Sequence, residues 1–196
     1  MATLADRSIA TRIPSIVLIV TTIASSWLLM QIVHESGHVL GGWITGAQVR
    51  RVILVPWQLS RTDLLENPRP LIVCWAGPIV GAIAPFAIWL VASRLRWAIA
   101  FWLQFLAGFC CVANGTYIAV GRWTHDGDAG DLLHYGAPAW TLLMFGIVTT
   151  PIGFLLWHGL GRSFGLRPEA NQISLKVAGL STLTLCVIVV VELFFA

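Results

Sequence analysis

The chain has 196 residues, 57% of them hydrophobic and 11% charged, with a net charge of +3 and a mean hydropathy of +0.81. A soluble domain usually carries about 25% charged residues, so the composition excludes a soluble globule and a disordered chain. Twelve basic side chains against nine acidic ones, scattered between apolar runs, also exclude a nucleic-acid-binding surface.

In chain order, five apolar stretches reach the roughly 20 residues that a helix needs to cross a bilayer. They run from about Ile13 to Ile44, Leu71 to Ala92, Trp97 to Val120, Ala137 to Leu160 and Val177 to Phe195. Arg and Lys punctuate the chain between them, and only Glu35 and Glu192 carry charge inside them. In lipid every backbone N–H and C=O must be satisfied within its own segment, so such runs become helices. The ten Trp residues suit headgroup depth. The first run also has the layout of a secretory signal, with Arg7 and Arg12, an apolar run, and then Ala24-Ser25-Ser26. Its apolar character continues through Leu28–Val33 and Val39–Ile44, which favours a retained helix. Lys and Arg divide seven against five between alternate sides, too evenly to set an orientation.

The longest connection, Ala47 to Pro70, contains Val49-Arg50-Arg51-Val52-Ile53-Leu54-Val55, with Gly46 shortly before it and Pro56 directly after. This β-branched segment reads as a short strand or hairpin at the membrane surface. Cys74, Cys110, Cys111 and Cys186 lie in apolar segments without ligand spacing and read as small hydrophobes. The expected fold is an all-α polytopic membrane protein of about five transmembrane helices, with a short strand or hairpin after the first. It forms one membrane-embedded domain over residues 1–196, with a motif-bearing core at about 13–136 and additional helices at 137–196. The expected setting is a lipid bilayer, as a multi-pass protein of the cell membrane.

The first run contains His34-Glu35-Ser36-Gly37-His38. On a helix, positions i and i+4 lie about 40° apart around the axis and roughly 6 Å along it. Two imidazoles so placed can converge on one Zn²⁺ at about 2.0–2.1 Å. Glu35, beside the first ligand, is then placed to take a proton from water, whose pKa zinc lowers from 15.7 to about 7. This is the metalloprotease arrangement. A Glu and two His inside an apolar helix cost several kcal/mol unless paired or metal-bound, so the alternative is a polar network between helices.

Catalytic zinc takes three protein ligands and leaves a fourth position open, so a third ligand must come from elsewhere. One acidic cluster stands out, His125-Asp126-Gly127-Asp128-Ala129-Gly130-Asp131, followed by Leu132-Leu133-His134. If the helices alternate in direction, this cluster lies on the same side as the end of the first run. A solvated acidic loop is the simpler reading of such a cluster. The residues alone leave open which acid serves.

Together these elements resemble the site-2 protease family of intramembrane zinc metalloproteases. Asp128-Ala129-Gly130-Asp131-Leu132-Leu133 is similar to that family's Asp-Gly-Gly-x-Leu-Leu, with Ala129 replacing the usual Gly. On this register the resemblance implies Asp128 as third ligand. Asp126-Gly127 keeps the literal Asp-Gly pair, and Asp131 is a third choice. Ala76-Gly77-Pro78 resembles the family's Ala-Gly-Pro-x-x-Asn, with Gly81 at the Asn position; Asn114 matches an Asn that precedes the Asp motif. The resemblance spans roughly Ile13 to Leu133 and implies a minimal core without a PDZ-like insertion.

Beside the motif, Gly37 and Gly41, and Gly42 and Gly46, have the spacing that lets a second helix approach closely. His158 reads as packed or interfacial, His125 and His134 as loop residues, and Glu192 as an interfacial carboxylate near the C-terminus. Thr149-Thr150-Pro151 is expected to kink the fourth run, with the hydroxyls covering freed carbonyls.

The leading expectation is hydrolysis of peptide bonds in or near transmembrane segments of another membrane protein. Zn²⁺ would be held by His34, His38 and Asp128, with Glu35 as general base. The competing expectations are a catalytically silent member of the same fold that binds membrane partners, and a transporter using the buried His and Glu as an ion relay.

Overall fold

The computed structural model describes residues 9–167 and 172–196; Arg7, one of the basic residues counted for orientation, lies outside them. The elements are α1 (Ile9–Thr45), β1 (Gln48–Ile53), β2 (Arg61–Glu66), α2 (Pro70–Arg94), α3 (Ala100–Thr124), α4 (Gly127–His134), α5 (Ala139–Trp157) and α6 (Leu175–Leu193). All helices but α4 are long and apolar enough to cross a membrane, five in total. The chain is therefore a multi-pass membrane protein, and each spanning helix falls on one of the five apolar runs. Outward-facing Ile16, Ile83, Leu155 and Leu180 are exposed, as a lipid-facing surface requires. Exposed Trp43, Trp123 and Trp140 stand at the end of α1, the end of α3 and the start of α5, where indole rings match the headgroup layer.

The third helix is central and packs against α5, α2, α1 and α4, whereas α6 packs on α1. The α1–α2 contact is the closest near the motif. A Cβ on Gly37 would run into the backbone of Ala76, and one on Gly41 would lie 2.6 Å from Ala76 Cβ. Gly42 instead faces the hairpin, and Gly46 ends α1 with φ of +78°. Of the two small-residue pairs, one joins helices and the other closes a turn. In α5, Thr149 donates to Phe145 O at 2.8 Å, one turn before its own position, and not to the carbonyl that Pro151 frees.

β1 and β2 form an antiparallel hairpin with Arg51 opposite Asp63 and Val52 opposite Thr62. The arginine donates to Asp63 at 2.7 Å and Arg61 lies 3.2 Å from it, which holds the Asp63 carboxyl below the usual carboxylate range. The second strand, Arg-Thr-Asp-Leu-Leu-Glu, carries no β-branched run, and its pairing arises from register with β1. The hairpin does not lie across the end of α1, as a surface strand would. It folds back along that helix until Ser60 N reaches Gln31 Oε1 at 2.7 Å, about four turns before the helix ends. Buried Gln31 and Glu35 supply the polar partners that draw it there.

Helix α6 is aligned by a 2.8 Å hydroxyl pair between Thr21 and Ser181, and Phe195 O accepts from Leu54 N at 3.2 Å. Its inner face carries Ala178, Ile188 and Glu192. Glu192 therefore faces the protein interior. It is 1% exposed, and its two oxygens have no hydrogen-bond partner among the described residues. Helical periodicity, not nearness to the C-terminus, decides its position.

The α1–α2 contact sets a stability test. Gly37→Ala is expected to destabilise the detergent-solubilised protein by about 1–3 kcal/mol, the usual cost of overpacking. Gly42→Ala, whose added carbon would sit 3.5 Å from Val49, should leave the thermal midpoint nearly unchanged. Equal midpoints for the two variants would contradict the packing described.

Candidate metal centre

His34 and His38 lie one turn apart on α1, with ring centroids 4.8 Å apart and both side chains buried. Each imidazole is fixed through its Nδ1. His38 Nδ1 lies 2.8 Å from Val73 O on α2, and His34 Nδ1 lies 2.6 Å from Asn114 Oδ1 on α3. The Asn114 amide is itself oriented, because its Nδ2 donates to Cys110 O at 2.8 Å. Carbonyl oxygens only accept, so both Nδ1 atoms carry hydrogen. In a neutral ring this leaves Nε2 as the acceptor.

The two Nε2 atoms face one another at 3.1 Å. Asp128 completes the group, with Oδ2 2.7 Å from His34 Nε2 and Oδ1 3.3 Å from His38 Nε2. With both rings neutral, three acceptors converge without a donor between them, and their lone pairs repel unless a cation sits among them. Without a metal, one imidazole must take a second proton. Ligand atoms on a tetrahedral zinc at 2.0–2.1 Å are about 3.3 Å apart; two of the observed separations, 3.1 and 3.3 Å, are close to this, and the 2.7 Å between His34 and Asp128 is shorter. Bound His residues commonly donate the other ring N–H to a carbonyl or carboxylate, as both do here. His34, His38 and Asp128 form a group that can hold a metal ion, with one ligand atom from each and all such atoms within 4.8 Å.

The turn between α3 and α4 delivers the carboxylate. His125 caps α3 in the left-handed region at φ 59°, and Gly127 follows at φ 54°, so the chain reverses within three residues. Helix α4 then buries Ala129 and Leu132 against Ile118 and Cys74. Asp128 N donates to Tyr117 Oη at 3.1 Å, which sets the first turn of α4 beside the imidazoles. Burial pushes the Asp128 carboxyl up, but the hydrogen bonds to His34 and His38 outweigh this and hold it well below the usual carboxylate range. Asp126 is the exposed residue before α4 and Asp131 lies exposed at the cavity rim. Of the three acids, Asp128 alone reaches the imidazoles among the described residues. His125, His134 and His158 are exposed and take no part in that group.

No known protein family, curated protein or solved structure matches the chain. The argument about this site therefore rests on its own geometry.

Glu35 is buried at 4% exposure and turns toward the hairpin. Its Oε1 accepts from Ser60 Oγ at 3.0 Å and its Oε2 from Thr62 Oγ1 at 2.7 Å. Glu35, both imidazoles and Asp128 border one cavity of ≈ 1080 Å³, whose wall includes Arg61, Thr62 and Leu65 of β2. The strand-like Val49–Val55 segment does not line it. Gly77 has a role beyond a helix kink, since a side chain there would collide with the His38 ring. Gly81, at the pattern's Asn position, faces the Asn114 amide, and a Cβ would meet it at 2.8 Å. Ser60, Thr62, Gln31 and Tyr117 carry no motif signal; the folded-back hairpin brings Ser60 and Thr62 to the site, while Gln31 lies about one turn before His34 on α1 and Tyr117 about one turn after Asn114 on α3.

Metal analysis tests the arrangement directly. The purified chain is expected to hold stoichiometric zinc, and His34→Ala, His38→Ala and Asp128→Ala to lose it. Asp126→Ala and Asp131→Ala should retain it. Asn114→Ala should weaken zinc affinity by about 10–100-fold, the usual cost of removing a ligand's supporting partner. Zinc retained in Asp128→Ala and lost in Asp126→Ala would overturn the ligand set.

Proposed function

We propose that the chain is an intramembrane zinc metalloprotease that hydrolyses peptide bonds in or near transmembrane segments of other membrane proteins. The observation that carries this reading is the meeting of two imidazoles, a carboxylate and a second, non-ligating glutamate at one cavity between membrane-spanning helices. Two His and one carboxylate, with a fourth position open, are a donor set of catalytic zinc. His34, His38 and Asp128 would hold Zn²⁺, which supplies Lewis acidity toward a carbonyl and lowers the pKa of water from 15.7 to about 7.

The chain's own residues supply the rest. Glu35 accepts a proton from the attacking water as its oxygen adds to the peptide carbonyl carbon. Glu35 then delivers that proton to the amide nitrogen as the C–N bond breaks, leaving a carboxylic acid and an amine. Amides in a helix are hydrogen-bonded and shielded, so the substrate must unwind before attack. The cavity wall formed by β2 supports holding such a segment extended through backbone hydrogen bonds, by addition of a strand. The placement in the cell membrane belongs to the same proposal.

Glu35→Gln is expected to keep zinc and lower cleavage of a quenched-fluorescence peptide with an apolar membrane-spanning segment by about 10²–10⁴-fold, the range for a positioned general base. Removing the metal with a chelator should abolish cleavage, and added zinc should restore it. Undiminished turnover by Glu35→Gln would overturn the assignment.

A further inference from the structure

The hairpin fastens onto the motif helix at three points. Ser60 N reaches Gln31 Oε1, Ser60 Oγ reaches Glu35 Oε1, and Thr62 Oγ1 reaches Glu35 Oε2, at 2.7, 3.0 and 2.7 Å. Both oxygens of one carboxylate are thus held by a single strand segment that also lines the cavity. A carboxylate offers about four acceptor positions, so two hydroxyl bonds leave each oxygen a lone pair for a proton. Neutral hydroxyls orient the group without cancelling its charge, as a Lys or Arg would.

A glutamate next to a three-ligand site has a competing role. Carboxylate oxygen is itself a good zinc ligand, and Glu35 bound through both of its oxygens would fill the fourth position and a fifth, shutting water out and raising the coordination number. Its flexible side chain needs a restraint, and the hairpin provides one. We propose that Ser60 and Thr62 are positioning residues that hold the Glu35 carboxylate off the metal position and aimed into the cavity. The strand bordering the cleft then also sets the geometry of the base. This rests on the metalloprotease reading above.

The test uses the full chain in detergent loaded with Co²⁺, whose visible absorption is intense in four-coordinate sites and weak at higher coordination. Wild type should bind stoichiometric cobalt with intense bands. Ser60→Ala/Thr62→Val should keep the cobalt and lose intensity, as Glu35 becomes a ligand. Adding Glu35→Gln to that variant should restore the intensity, and Thr62→Ser should behave as wild type. With zinc and the fluorogenic peptide, the double variant should lose tenfold or more in kcat at unchanged KM, a part of the roughly 10²–10⁴-fold a general base supplies. Should the double variant not accumulate, Thr62→Val alone is expected to shift both readouts in the same direction. Wild-type spectra and kcat in the folded variants would overturn the clasp, as would lost intensity that Glu35→Gln does not restore. Wild type that binds no cobalt would instead overturn the metal reading, and the clasp with it.

Discussion

The site depends on one electrostatic constraint: two imidazole nitrogens and a carboxylate meet in a buried place, where with both rings neutral no hydrogen lies between them. His34 Nε2 and His38 Nε2 stand 3.1 Å apart, and Asp128 approaches both. Such an arrangement repels itself in water and far more in a low-dielectric interior. It persists only if a cation or an extra proton occupies the centre, and if the surrounding chain forbids the rings to turn away. Val73 O and Asn114 Oδ1 impose that second condition from two different helices. The close α1–α2 approach at Gly37 and the absent side chain at Gly77 bring the backbone near enough for Val73 to reach.

Polar groups elsewhere in the bundle show what this organisation is worth. Thr22, Ser25 and Ser26 on α1 and Glu192 on α6 are buried, and their side-chain oxygens lack hydrogen-bond partners among the described residues. At the candidate metal site every polar side-chain atom of His34, His38 and Asn114 has a polar neighbour within hydrogen-bond distance. A buried polar group without a partner costs free energy, so full engagement marks the arrangement that the fold is built to hold. The buried carboxyl of Glu192 carries that cost, with no hydrogen bond among the described residues to offset it.

Features governed by local periodicity were legible in the sequence. Five apolar runs gave five spanning helices, because lipid leaves an apolar segment no other way to satisfy its backbone. The i, i+4 spacing of His34 and His38 already placed both rings on one face. The choice of Asp128 over Asp126 and Asp131 came from a motif resemblance, and the physical ground for it is the left-handed turn at His125 and Gly127. What escaped the sequence was long-range. β2 contains Arg61, Asp63 and Glu66 and looks like loop until paired with β1. Val49–Val55 was the visible strand, yet it is the polar partner strand that borders the cavity. No local pattern could announce that Ser60 and Thr62 would meet a glutamate about 25 residues earlier, since that contact exists only when the hairpin folds back.

The folded-back hairpin also answers a requirement of the hydrolysis we propose. Hydrolysis consumes water, and a spanning bundle tends to exclude it. Irregular or unpaired backbone among spanning helices is tolerated where it is buried in protein or lines a water-filled cavity. The two-stranded sheet laid along α1 has such a cavity beside β2, and that cavity contains Glu35 and the three residues that can hold a metal. On the proposed reading, the segment from Ser60 through β2 would meet an incoming substrate along its edge and hold Glu35 with its hydroxyls. Entry of substrate, access of water and the aim of Glu35 would then be properties of one element. A change in the hairpin would be felt at Glu35 even though no hairpin residue belongs to the group that can hold a metal.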